Sequence, residues 1–222
     1  MNNGQQSFLM EQQKYIAAIA AQGAAGNIPA LNSALQRGLD AGLTINDCRE
    51  VLVQLYAYAG FPRSLNALTE LMNVINTRKA KGIHDAEGQL PGPLPEPEDM
   101  LKIGTQNQTA LVGQPVKGQL FEFAPAADMY LKTHLFGDIF SRDNLDWLNR
   151  ELATVGALSA MTGVDPQLKA HITMSINAGL TSSQLKELVR FFGESGEPSM
   201  ADRLKKAMEK DAALYPAQSC LA

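Results

Sequence analysis

The chain has 222 residues, 45% of them hydrophobic and 6% aromatic, with 19 Lys+Arg against 23 Asp+Glu for a formal net charge of −4. That length and apolar share suit one large or two small globular units with a real core. An acidic balance without a basic run argues against a nucleic-acid partner, and no stretch approaches the roughly 20 apolar residues that span a bilayer.

Met1–Gln6 is polar and lacks the basic and apolar regions of a signal peptide, so the chain reads as cytoplasmic. From Phe8 to Ala25, alanine and apolar residues recur at helical spacing until Gly26-Asn27-Ile28-Pro29 breaks the pattern. Pro29 suits the first turn of a second helix, which Gly42 ends. Thr44 is the natural N-cap of a third helix through Tyr58, with Asp47 making its first turn negative. Gly60 and Pro62 stop that helix and start a fourth, to about Arg78.

Residues 79–125 carry Pro91, Pro93, Pro95, Pro97 and Pro115 with scattered glycines, a composition that favours extended backbone over long helices. A connection of this length is expected to cross the surface of one unit or wrap a neighbouring subunit. Leu120-Phe121-Glu122-Phe123 is its one candidate strand. Helical patterning resumes from Asp143 or Asn144 to Met161, turns at Thr162-Gly163-Val164-Asp165-Pro166, runs to Asn177 and opens again at Thr181, where Gln184 completes the spacing of a capping box.

The chain contains itself twice. Gln13 to Leu55 lies over Arg150 to Phe192 without a gap at a constant offset of 137, with Ala41-Gly42-Leu43-Thr44 on Ala178-Gly179-Leu180-Thr181, Gly26 on Gly163, Pro29 on Pro166 and Glu50 on Glu187. A unit that cannot bury its apolar face alone gains a core by packing on its copy. The reading is therefore all-α, with an N-terminal helical unit at 8–78, a linker at 79–125 and a C-terminal unit at 126–215.

Disagreement between the copies is where chemistry can be sought. Glu151 lies on the apolar stripe of its helix with Leu148, Val155 and Leu158, and His171 sits beside the stripe Leu168, Ile172 and Ile176, one turn before Ser175. The first copy has Lys14 and Ala34 at those places. A carboxylate withdrawn from water acquires a partner or becomes a weaker acid, which is what proton transfer uses, and imidazole exchanges protons near neutral pH. The same residues also suit a satisfied structural pair. Counting 1.5 Å per residue from the turn leaves them about 7 Å apart along an antiparallel pair of helices, so contact would need a steep crossing, a bridging water or a second subunit.

His134 could line a pocket, Arg150 could hold a substrate carboxylate or pair with a neighbour, and Tyr56 and Tyr58 read as core. Cys48 and Cys220 form no C-x-x-C, and His84, His134 and His171 show no zinc-binding spacing, so no metal is expected.

Leu135-Phe136-Gly137-Asp138-Ile139-Phe140-Ser141-Arg142, then Leu145, Arg150-Glu151-Leu152-Ala153-Thr154-Val155, and His171 seven residues before Ala178-Gly179-Leu180-Thr181 resemble the carboxymuconolactone decarboxylase family. Gly42-Leu43-Thr44, Glu50 and Tyr58-Ala59-Gly60-Phe61-Pro62 look like a second, degenerate module of it. The resemblance implies tandem helical modules of the kind also found in alkylhydroperoxidase D, a homo-oligomer with three two-module chains, and a carboxy-lyase acting without metal or organic cofactor on a small carboxylated lactone or keto acid. It assigns His171 as proton donor and Glu151 as its orienting partner or alternate acid, with His134, Arg142, Arg150 and Ser175 as candidate substrate contacts. In the peroxidase branch a Cys-x-x-Cys precedes the histidine. Here those positions are Val164 and Gln167, so there is no dithiol for that chemistry. A catalytically silent oligomeric helical protein that binds a small molecule is the competing expectation, and a partner-binding scaffold using the linker is a third.

Overall fold

The computed structural model describes residues 8–209; Met1–Gln6, Cys220 and the expected end of the C-terminal unit at 215 lie outside the described residues. In chain order the helices are α1 (Glu11–Ala25), α2 (Ile28–Asp40), α3 (Ile45–Gln54), α4 (Tyr56–Ala59), α5 (Phe61–Ala80), α6 (Met100–Val112), α7 (Gln119–Phe123), α8 (Pro125–Tyr130), α9 (Trp147–Ser159), α10 (Asp165–Asn177), α11 (Ser182–Glu194) and α12 (Pro198–Met208). A 3₁₀ turn at Pro97–Asp99 precedes α6, and a π-helix, Leu131–Ile139, continues α8. The fold is all-α, with no strand among the described residues.

Turn chemistry recurs at equivalent places of the repeat. Thr44 caps α3 in a capping box with Asp47, and Thr181 caps α11 in one with Gln184. Gly42 and Gly179, which precede those caps by two residues, both sit at positive φ (97° and 115°), a conformation open to glycine without steric cost. The third helix is shorter than the sequence predicts: it yields at Leu55 to the single turn α4 before Gly60 redirects the chain into α5.

An alanine-rich α1 organises the interior. Its residues from Ile16 to Ala24 are all buried, as are those of its repeat counterpart α9 from Arg150 to Ser159. A helix covered on every side belongs inside, and here two such helices lie against each other. Their backbones approach so closely that a Cβ on Gly156 would stand 2.3 Å from the Ala17 carbonyl oxygen. Both are shared between two apolar cores. Ile16, Ile19 and Ala20 of α1, with Ala153 and Ala157 of α9, pack with α2, α3 and α5, whereas Ala17 and Ala21 join Leu152, Val155 and Leu158 against α10, α11 and α12.

The region between the repeats departs from the expectation of extended chain. Residues 84–96 lack regular structure and fold back so that Ile45 and Asn46 N–H donate to the carbonyls of Ala86 and Glu87, satisfying free donors in the first turn of α3. The proline-free stretch from Met100 to Val112, however, forms the 13-residue helix α6. It lies on the π-helix at Gly104, where an added Cβ would fall 1.7 Å from the Lys132 carbonyl oxygen. The predicted strand Leu120–Phe123 is instead helical, within α7. Four residues cannot build a ladder without a partner strand, and Gly118 and Pro125 fit the ends of a short helix as well as those of a strand.

Candidate functional site

Glu151 on α9 and His171 on α10 meet directly, with Nδ1 of His171 2.8 Å from Oε2 of Glu151. The anticipated axial offset of about 7 Å is bridged by the two side chains alone, within one chain and without an intervening group. Glu151 is fully buried and His171 is 6% exposed. The other carboxyl oxygen of Glu151, Oε1, is buried without a hydrogen-bond partner.

Next to Glu151 in sequence begins a buried charge network that spans the repeats. Glu50 of α3 receives Arg142 Nε at 2.9 Å and Arg150 Nη2 at 3.0 Å. Arg150 Nη2 also donates to the Arg142 carbonyl, and Gln54 Nε2 donates to the Arg150 carbonyl and to Thr154 Oγ1. Burial alone would raise the pKa of Glu50, but the hydrogen bonds and charges of Arg142 and Arg150 outweigh it and hold the carboxyl below the usual carboxylate range. Burial pulls Arg150 down from its ordinary value while Glu50 opposes the shift, and the hydrogen bond that Arg142 donates to Glu50 raises Arg142.

The candidates named from sequence therefore separate. Glu151 and His171 are together. Arg150 is fully buried and held by Glu50; Arg142 keeps 27% side-chain exposure with its Nε and Nη2 on the same carboxylate. Ser175 is sealed and donates its hydroxyl proton to the Ile172 carbonyl. His134 is half-exposed, bonded to Asp138 at 2.6 Å and tilted against Tyr56 at 5.6 Å between ring centroids. Among the described residues no group of three or more His, Cys, Asp or Glu could hold a metal ion, and no helix is long and apolar enough to cross a membrane.

Two participants escaped sequence reasoning. Glu50 was visible as a repeat match to Glu187 and as part of the degenerate first module, with nothing to tie it to Arg142 or Arg150. Tyr58 packs against the core as its position suggests, and it also lays its ring edge-on to His171, with centroids 5.4 Å apart at 80°. Its lack of an aromatic counterpart at Ser195 of the second repeat was the available signal.

Comparison with known proteins falls on this same region. The model of the carboxymuconolactone decarboxylase family matches residues 125–192, which include Glu151 and His171. A 4-carboxymuconolactone decarboxylase from Acinetobacter baylyi is 27% identical over 96 residues, covering 41% of this chain and 71% of that protein. The segment from α8 to α11 is thus the part of the chain that is similar to the carboxymuconolactone decarboxylase family.

Proposed function

We propose that the protein is a carboxy-lyase that decarboxylates a small carboxylated lactone or keto acid without metal or organic cofactor, with His171 as proton donor and Glu151 as the group that orients it. The observation that carries this reading is the buried 2.8 Å contact between them, inside the segment that matches the family. With Nδ1 committed to the carboxylate, Nε2 is the nitrogen free to deliver a proton. In the reaction the bond to the substrate carboxylate breaks, carbon dioxide leaves, and the electron pair passes into the conjugated carbonyl as an enolate. The proton from Nε2 then goes to carbon, and the imidazole recovers one from water. Net, one proton replaces one carboxylate. The apolar side chains around α9 and α10 favour loss of charge from the departing group.

On this reading the N-terminal repeat is a degenerate module, and three two-module chains form the working assembly in the cytoplasm. The exposed apolar side chains Phe61, Leu65 and Met72 of α5 offer surface for such an association. The near-complete burial of the pair favours a second reading, a catalytically silent helical protein that binds a small molecule while Glu151 and His171 serve structure.

A spectroscopic turnover screen over unsaturated lactone carboxylates separates the two. Native protein should release carbon dioxide from at least one of them, and His171→Ala should fall to background. Equal background rates in both would remove the lyase assignment and leave the fold untouched.

A further inference from the structure

We infer that Tyr58, contributed by the N-terminal repeat, is a third member of the Glu151–His171 site and that its phenol donates a hydrogen bond to an anionic oxygen of the bound small molecule. The inference rests on the lyase reading for its chemistry, though its geometry stands apart from it.

Tyr58 lies in α4, the single turn that follows the break at Leu55, and its ring packs edge-on against the imidazole of His171. The ring as a whole is partly exposed, yet its hydroxyl is buried and makes no hydrogen bond. Buried phenols ordinarily find a partner, and leaving one without costs about 1–3 kcal/mol. Thr154 stands close enough to act on the phenol, but its hydroxyl proton goes to the Arg150 carbonyl, and no hydrogen bond of normal geometry joins the two hydroxyls. Two further orphan atoms belong to its charged neighbours, Oε1 of Glu151 and Nε of Arg150, and both of those charges act on the phenol. Burial, reinforced by the Glu151 charge, pushes the Tyr58 hydroxyl well above its ordinary range, so it remains a protonated donor at any working pH.

An unsatisfied neutral donor beside a proton-delivering imidazole suits an oxygen that gains negative charge as carbon dioxide departs. Such preorganised donors typically account for about 10²–10³ in turnover. The second repeat has Ser195 at the equivalent place, so the phenol and its aromatic ring are particular to the turn α4. The N-terminal repeat would then be retained for a catalytic reason as well as for packing.

Tyr58→Phe removes the hydroxyl and keeps the ring. Turnover of the best substrate from the lactone screen should fall about 10²-fold, with the thermal midpoint unchanged or raised, because no satisfied bond is lost. Binding is read independently through the fluorescence of Trp147, the single tryptophan, which packs in the same apolar cluster as Tyr58. Furan-2-carboxylate, a planar ring anion that does not turn over, should bind the variant about tenfold more weakly. Native-like turnover in the variant would overturn the inference, as would unchanged probe affinity, or a lowered midpoint in Tyr58→Phe that Thr154→Val reproduces. If neither protein turns over substrate but the probe still loses affinity in the variant, the lyase reading fails and the placement of Tyr58 stands. No probe binding by native protein and no turnover would end both.

Discussion

Lys14 and Glu151 occupy the same position of the two repeats, yet the Lys14 ammonium reaches across to Glu187 at 3.2 Å while Glu151 is buried against His171. One scaffold position thus serves as a brace in α1 and as half of a titratable couple in α9. Glu151→Gln tests the difference, since it keeps the shape and removes the charge. Turnover should fall to background while the loss of the charged hydrogen bond lowers stability by about 1.5–3 kcal/mol. Calorimetry beside the turnover assay checks this; retained turnover would reduce the pair to a structural role.

Glu50 and Glu187 are likewise equivalent, and each reaches the first helix of the other repeat: Glu50 meets Arg150 of α9, and Glu187 meets Lys14 of α1. The two braces differ in depth. Arg150 is sealed, so Glu50→Ala would leave a buried guanidinium without its carboxylate, at a cost of about 3–5 kcal/mol. Lys14 is more exposed, and Glu187→Ala should cost about 1 kcal/mol or less from the ion pair. Chemical denaturation of the two variants should preserve that order.

The same carboxylates set the response to acid. Glu50 and Glu187 are both held below their ordinary values; in each, burial alone would raise the value, and Arg142 with Arg150, or Leu9 N–H with Lys14, outweighs it. A depressed folded value means stability that is fully present above the unfolded value, about 4.3, and lost as pH falls through the folded one. The thermal midpoint of the native chain should therefore decline progressively below about pH 4.3. Glu50→Gln should start lower and decline less steeply over that interval. Parallel curves for native and variant would show that Glu50 does not carry the acid response.

Cys48 is fully buried in α3, and burial pushes its thiol up to about 12. In a Cys220→Ser background, which leaves it as the sole cysteine, Ellman's reagent at pH 8 should register no thiol in native protein and one in denaturant. Rapid native labelling would mean that α3 opens readily from the core.

The repeat made the frame legible because its signals are local: the caps at Thr44 and Thr181 and the glycines before them recur at fixed spacing. Composition averaged over the interval between the repeats concealed α6, since the prolines cluster before Met100 and after Val112. Glu151 and His171 were identifiable by type and by their absence from the first copy, but their contact was not, because helix rise says nothing of side-chain reach. The Glu50 network joins residues about a hundred positions apart, beyond the range of any spacing argument. Tyr58 is core, as an aromatic at a helix end suggests, but its contact with imidazole was not legible, because such a residue looks the same whether it faces apolar carbon alone or His171 as well.

The closeness of α1 to α9 gives the fold its sharpest steric test. A Cβ at Gly156 would meet the backbone of Ala17 at 2.3 Å, and backbone in the middle of two buried helices cannot move aside as a flexible side chain can. Gly156→Ala should force the helices apart and destabilise the protein by about 1–3 kcal/mol or more, despite the better helix propensity of alanine. Gly193 is the matched control, exposed on α11 with no neighbour within 4 Å of an added Cβ. Gly193→Ala should stabilise by about 0.5–1 kcal/mol. Opposite signs in thermal midpoint are expected for the same chemical change. A stabilised Gly156→Ala would mean that the two central helices are not in backbone contact, and that the shared core built on them is arranged differently.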